Sequence, residues 1–458
     1  MNPQFPRTRL RHNLSARTLL AAVLLAAATS SRAQISIDAI SPQDPRRTPT
    51  VEIFHRWKDS VVYLTGPLVT GKGPSMDEFF RLPQNRETSS IGSGFVIHES
   101  GYIVANAHSV ERVIQQFVNL GDGQTYPAEL IAVARDKDLA LLKVEPGAPL
   151  RPVQLAKSGD FLIGERVTVI GNPHGLRHTC TAGIVSAAGR SVQTTGLPGI
   201  TLHDLIQTDA GLNPGSSGGP WFNVLGRVIG ITTSMQAGSQ AIGFAVPVAA
   251  LREVLPDMLD VERRYGLAVG LELLPMEPCT VAGVAPGSPA AAAGIQSGDI
   301  LQKLNGKPLD GRCDFHLALV GHRPGDRLQL ELWRKDRVLN GLLVLAARAK
   351  PDGAALLQQR YGLTAVPLNE AKAHATALRV YRGVIITAVA AGTPYEKLQS
   401  PPLPGDVLAR INDIRPRNLD HVGLLLDRIK PHEPVHFVLL RMKDHVATRI
   451  DITVTLEK

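Results

Sequence analysis

Three short stretches of this sequence hold residues suited to nucleophilic chemistry. The first is Gly215-Ser216-Ser217-Gly218-Gly219-Pro220. Acyl transfer needs an exposed nucleophile and backbone N–H groups aimed at a developing oxyanion. A glycine two positions before Ser217 lets the chain turn so that the Gly215 and Ser217 amides converge, and Gly218 and Gly219 allow close approach. The second stretch is Ala105-Asn106-Ala107-His108, directly after the strand-like Tyr102-Ile103-Val104. A histidine at a strand end can face a cleft and act as a general base. The third is Asp136-Lys137-Asp138, at the head of Leu139-Ala140-Leu141-Leu142-Lys143-Val144. An acid opening a buried strand is costly unless paired, and a histidine N–H would pair it. Each stretch alone is ordinary, since the chain has 14 histidines and Gly-Ser turns are common. Together they run His, Asp, Ser within one segment, an order that differs from those of subtilisin-type and α/β-hydrolase triads.

These residues need a scaffold of strands. From about 52 to 247, short β-branched or apolar runs (SVVYL, GFVI, YIVAN, LALLKV, RVTVIG, GIVSAAG, RVIGITT, IGFAVP) alternate with Gly, Pro and Asn. Many short strands separated by turn signals predict an all-β barrel or sandwich. Residues 34–50 read as a polar lead-in, and 71–89 as a Gly/Pro-rich surface loop. Residues 248–260 have helical spacing and read as a connecting helix. Beyond them the sequence repeats. Arg264-Tyr265-Gly266-Leu267 recurs as Arg360-Tyr361-Gly362-Leu363, and Gly298-Asp299-Ile300-Leu301 as Gly405-Asp406-Val407-Leu408. Extra residues in the second copy fall around Glu370–Arg379. Helical stretches are expected at Asp314–Val320 and Asp420–Ile429. The repeat predicts two tandem modules joined by a linker at 347–356.

With 458 residues, the chain has room for about three domains. The formal charge of +8 is concentrated at the start, where residues 1–33 hold Arg7, Arg9, Arg11, Arg17 and Arg32 and no acid. The remainder carries 44 basic against 41 acidic residues, which disfavours a nucleic-acid partner. The arginines, the apolar run Leu19–Ala28 and Ser31-Arg32-Ala33 form a secretory signal with cleavage expected after Ala33. No other stretch is long and apolar enough to span a bilayer. The three cysteines are Cys180, Cys279 and Cys313. Their spacing supports no metal site, and whether Cys279 and Cys313 form a disulfide stays open.

The stretches GSGFVI, NAH, DLALLKV, GNPHGL…TAGIVSAAGR, QTDAGLNPGSSGGPWFN…VIGITT and IGFAVP resemble the HtrA/Deg family of exported trypsin-like serine endopeptidases. The resemblance covers nearly all of the chain beyond the signal. It implies a mainly-β fold, with a chymotrypsin-like double β-barrel at 51–260 followed by PDZ-like α+β domains at 261–347 and 348–458. By position it implies His108 as base, Asp138 as its orienting acid and Ser217 as nucleophile, with Gly215 and Ser217 amides as oxyanion hole and the Ser216 N–H nearby. Ser216, Ser109 and Ala105 stand where the family usually has Asn, Val and Thr. The base of the primary pocket falls on Gly211, which carries no carboxylate. Leu212 and the Ile242 region then imply an apolar pocket and cleavage after Val, Ala or Ile. In each repeat, Arg264, Tyr265, Gly266 and Leu267, or Arg360, Tyr361, Gly362 and Leu363, match a carboxylate-binding loop, with strands Leu267–Leu273 and Leu363–Leu368 pairing with a peptide C-terminus. The resemblance further implies periplasmic quality control of unfolded polypeptides, a homotrimer or larger assembly, no cofactor, and an inactive resting geometry with loops at 172–178, 186–204 and 234–241. A chaperone or scaffold with a dormant barrel is the alternative.

Overall fold

The computed structural model describes residues 37–67, 89–348 and 351–455, apart from 112, 114, 122, 173–177, 194–196, 198, 236–240, 369–382, 394, 396–397, 413, 430–431 and 444–445. The expected signal, most of the 71–89 loop and the extra residues around Glu370–Arg379 lie outside that set. Among the described residues, no helix is long and apolar enough to cross a membrane.

The fold is mainly β, as the spacing of apolar runs predicts. Six antiparallel strands close a first barrel in the order Val61–Gly66, Ser89–His98, Tyr102–Ala105, Leu139–Lys143, Thr125–Ala134 and Gln116–Asn119, the last pairing back onto the first. Val62, Leu64, Val96, Ile103 and Leu142 fill its interior. A second barrel follows the order Arg166–Gly171, Thr179–Gln193, Thr201–Thr208, Gly243–Pro247, Arg227–Met235 and Pro220–Phe222. It closes because Pro220–Phe222 pairs on both sides, with Arg227–Met235 and with Arg166–Gly171. Val167, Val169, Ile206, Trp221 and Ile229 are buried there together. Closure leaves neither barrel a free edge around its ring.

Two elements depart from the sequence reading. The 186–204 segment, read as a loop, is largely a hairpin. Its strand Thr179–Gln193 is 15 residues long and pairs with Thr201–Thr208, Thr201 opposite Gln193. The exposed residues that made it look loop-like are those of a hairpin arm standing in solvent. The lead-in also ends in an unpredicted helix, Pro49–Trp57, which begins on a Thr48-Pro49 start signal. Its Trp57 lies flat against Phe222 with ring centroids 6.2 Å apart, tying this helix to the second barrel.

The connecting helix is Val248–Leu259. Its Arg252 is almost fully buried and bonds Glu277 and Asp314 of the first repeat, each at 2.6 Å. Burial works against its charge, but the two carboxylates outweigh burial and hold it ionised. One apolar core runs from Leu251 and Leu255 into Phe315 and Leu319, so barrel and first module pack as a continuous body. In the first repeat, strand Ile300–Leu304 pairs with Arg327–Arg334, which pairs with Arg337–Val344, and the helix is Arg312–Leu319. The second repeat forms a five-stranded sheet, Leu363–Pro367, Val384–Val389, Val407–Ile411, Pro434–Lys443 and Val446–Thr455, with helix Leu419–Asp427.

The disulfide question is settled: Cys279 and Cys313 are both free and buried in that shared core. Burial pushes both thiols up to about 12. A raised thiol pKa leaves almost no thiolate at about pH 8, so these cysteines should be inert in the folded protein. Timed thiol labelling with mass detection should leave Cys279 and Cys313 unmodified until denaturant is added, and reducing agent should not change the melting temperature.

Candidate active site

Asp138 sits just before the strand Leu139–Lys143 with φ 52°, in the left-handed region that non-glycine residues seldom occupy. Two donors hold its carbonyl there: the Asn106 amide at 3.0 Å and the Ala107 N–H at 3.3 Å. This turn aims a fully buried carboxylate at the short helix Ala107–Val110, which the Tyr102–Ala105 strand delivers. One carboxylate oxygen accepts the His108 backbone N–H at 3.0 Å, and both face His108 Nδ1, at 2.8 and 3.0 Å. Thr233 completes the shell by donating its hydroxyl to Asp138 at 2.5 Å. The His108 backbone N–H and the Thr233 hydroxyl both donate to this carboxylate, leaving it to accept from the ring. Nδ1 of His108 is thereby fixed as the protonated nitrogen and Nε2 is left to act as a base. Thr233 lies on a strand of the second barrel, 95 residues from Asp138, and no local sequence signal marks it.

The nucleophile loop comes from the second barrel. Gly215 has φ 97° and Gly218 φ 84°, so both need glycine. A Cβ on Gly218 would lie 2.1 Å from the Ser93 carbonyl oxygen. Among the described residues, neither the Gly215 nor the Ser217 N–H donates to a protein acceptor, which leaves both for an oxyanion. The Ser216 N–H is different: it is spent on the Asn213 carbonyl at 2.9 Å, so it does not join them as expected. The Ser217 hydroxyl points toward the Thr233 carbonyl at 3.4 Å and makes no hydrogen bond to His108. Among the described residues, the Ser109 hydroxyl is buried without a hydrogen-bond partner, a cost of having Ser at this position.

In the pocket region, a Cβ on Gly211 would meet nothing within 4 Å, so the position is open. Leu212 packs over Gly243 and against the second-barrel core, whereas Ile242 packs against the larger core shared with the first module. The nearby carboxylate of Asp209 is spent on the Ile184 N–H at 2.7 Å.

Both Arg-Tyr-Gly-Leu segments prove to be helix ends. In the first, Val261–Arg264 is a helical turn, and the Arg264, Tyr265 and Gly266 N–H groups bond Asp260, Val261 and Arg263 carbonyls. Arg264 donates to the Leu259 carbonyl, and Tyr265 meets Tyr102 hydroxyl to hydroxyl at 3.0 Å. Leu267 starts a strand that ends at Ala268 and resumes at Leu271–Leu273. In the second, Arg360 and Tyr361 end the helix Gly353–Tyr361 and Gly362 is its cap. Arg360 donates to the Leu426 carbonyl, and Tyr361 is buried against Phe437. In the second copy the arginine and the Gly362 amide are thus used internally, and Leu363 opens the core strand Leu363–Pro367.

Residues 92–231 match the trypsin-like peptidase domain, and residues 228–341 match the PDZ domain. A probable periplasmic serine endoprotease, DegP-like, from Ectopseudomonas mendocina is 34% identical over 383 residues, covering 76% of this chain and 78% of that protein. One of the same description from Chlamydia trachomatis is 31% identical over 379 residues, covering 77% and 74%. This chain belongs to the DegP-like family of serine endoproteases. A solved serine endoprotease from Yersinia pestis also matches, at 28% identity over 66% of this chain and 98% of that one, with a TM-score of 0.36. The chain is thus a periplasmic serine-type endopeptidase with PDZ architecture. The comparisons support the protease and not the scaffold alternative.

Replacing Thr233 by Val in this DegP-like enzyme removes one donor from a buried carboxylate while keeping shape. Turnover of an unfolded protein substrate should fall roughly 10- to 100-fold with KM little changed, since losing a hydrogen bond to a charged group costs about 1.5–3 kcal/mol. Steady-state kinetics check this, and unchanged turnover would show that Thr233 does not steady Asp138.

Proposed function

We propose that residues 51–260 form the protease domain and that Ser217 attacks the scissile carbonyl. His108 takes its proton and returns it to the leaving amine, Asp138 orients and stabilises the imidazolium, and the Gly215 and Ser217 amides hold the oxyanion. The single observation that carries this reading is the Asp138 carboxylate bonded to both ring and backbone of His108. The Ser217 hydroxyl is turned toward the Thr233 carbonyl, so it must turn to His108 before it attacks.

The open glycine at 211 and the apolar Leu212 support cleavage after small or medium apolar residues of unfolded exported proteins. Residues 261–347 and 348–458 are the two PDZ modules, and the first is the one that takes a peptide C-terminus. The space around Gly266 is open, while Gly362 is walled by Thr393 and Ala390. Peptide entry at the first module requires its helix end to yield, because its amides are already bonded. The exposed adjacent pair Leu162 and Ile163 supplies an apolar surface suited to self-association as a homotrimer or larger assembly.

Incubated with an unfolded protein, the enzyme should produce fragments ending mostly in Val, Ala or Ile, and Ser217→Ala should produce none. Fragments ending mainly in Lys or Arg would reject the pocket reading. Calorimetric titration with a peptide bearing a free C-terminal carboxylate should saturate at one site per chain. Two sites would restore the second loop as a receptor.

A further inference from the structure

The groups proposed for catalysis come from separate barrels: His108 and Asp138 from the first, Ser217 from the second. Something must fix the nucleophile against its base. Ser93, fully buried on the first-barrel strand Ser89–His98, makes the required contacts. Its backbone N–H donates to the Ser217 carbonyl at 2.7 Å. Its hydroxyl donates to the Gly215 carbonyl at 2.8 Å and accepts the Asn172 N–H at 2.9 Å. Asn172 is buried as well. It donates its side-chain amide to the Val62 carbonyl at 3.0 Å and accepts the His178 N–H at 2.9 Å. One residue of a first-barrel strand therefore holds both carbonyls flanking Ser216, Ser217 through its backbone N–H and Gly215 through its hydroxyl, and the same hydroxyl also takes the Asn172 N–H.

We propose that Ser93 is a positioning residue for the reaction: its hydroxyl holds the Gly215 peptide so that the nucleophile loop keeps its register against the barrel that carries His108. A serine suits this role because one hydroxyl both donates and accepts, and the site is dry enough for both bonds to be directional. Alanine would leave the Gly215 carbonyl and the Asn172 N–H facing a small void. Among the described residues, the Ser93 backbone bond would then be the one hydrogen bond left between this loop and the first barrel. Displacements of about 1 Å at reacting groups cost on the order of 100-fold in rate.

This proposal rests on Ser217 being the nucleophile, so the test includes Ser217→Ala. Ser93→Ala and Ser93→Cys, which keeps side-chain bulk but donates weakly, are compared with wild type by steady-state hydrolysis of an apolar-site peptide. Ser60→Ala serves as control. It removes a buried hydroxyl just before the first-barrel strand Val61–Gly66 that has no hydrogen-bond partner among the described residues. Both Ser93 variants should lose roughly 10- to 100-fold in kcat with KM within about twofold, while Ser60→Ala keeps both constants. Pre-steady-state acylation of an ester substrate should slow by the same factor as kcat. A folded Ser93→Ala or Ser93→Cys enzyme with wild-type kcat would overturn the proposal. So would a loss of activity matched by the loss of folded protein across all three variants. If Ser217→Ala still turns over, the nucleophile assignment fails instead.

Discussion

The structure around this active site depends on one buried charge. Asp138 has no solvent, and an ionised carboxylate in that position costs several kcal/mol unless its oxygens are met by donors. Three groups meet them: the His108 ring, the His108 backbone and the Thr233 hydroxyl. That requirement dictates much else. The chain must turn through a left-handed conformation at 138, Asn106 and Ala107 must hold the turn, and the second barrel must bring Thr233 across to the first. A defect at any of these points weakens the shell around the carboxylate, so the geometry that orients the base also constrains the fold.

The same logic explains how two barrels act as one catalyst. Each supplies part of the chemistry, and the joints between them are short polar contacts set in apolar walls. Thr233 reaches from the second barrel to Asp138, and Ser93 reaches from the first to the nucleophile loop. The outer joint follows this pattern on a larger scale. Arg252 ties the connecting helix to two carboxylates of the first module, and Tyr265 of that module meets Tyr102 at the base of the strand leading to His108.

Local features were legible in the sequence. Tyr102–Ala105 and Leu139–Lys143 are apolar runs ended by polar residues, and these are the strands that deliver His108 and Asp138. The repeated helices and strands of the two modules were also readable, within a few residues. Long-range partners were not, because Thr233 and Ser93 are common residue types whose importance comes from what folding brings near them. The Arg-Tyr-Gly-Leu segments can be read in two ways for a definite reason. A carboxylate loop and a helix C-terminus both call for a glycine with positive φ followed by an apolar strand residue, and the sequence alone does not separate them. Pro49–Trp57 was missed because its start signal sits in a polar lead-in.

The most direct test of the account is chemical. A fluorophosphonate probe reacts with a serine only where a base and an oxyanion hole activate it. Given to the mature protein with an unfolded substrate present, it should add once, on the peptide containing Ser217, and Asp138→Asn should suppress that adduct. An adduct on another residue, or equal labelling of the Asp138→Asn protein, would contradict the assignment of Ser217, His108 and Asp138 as one catalytic unit.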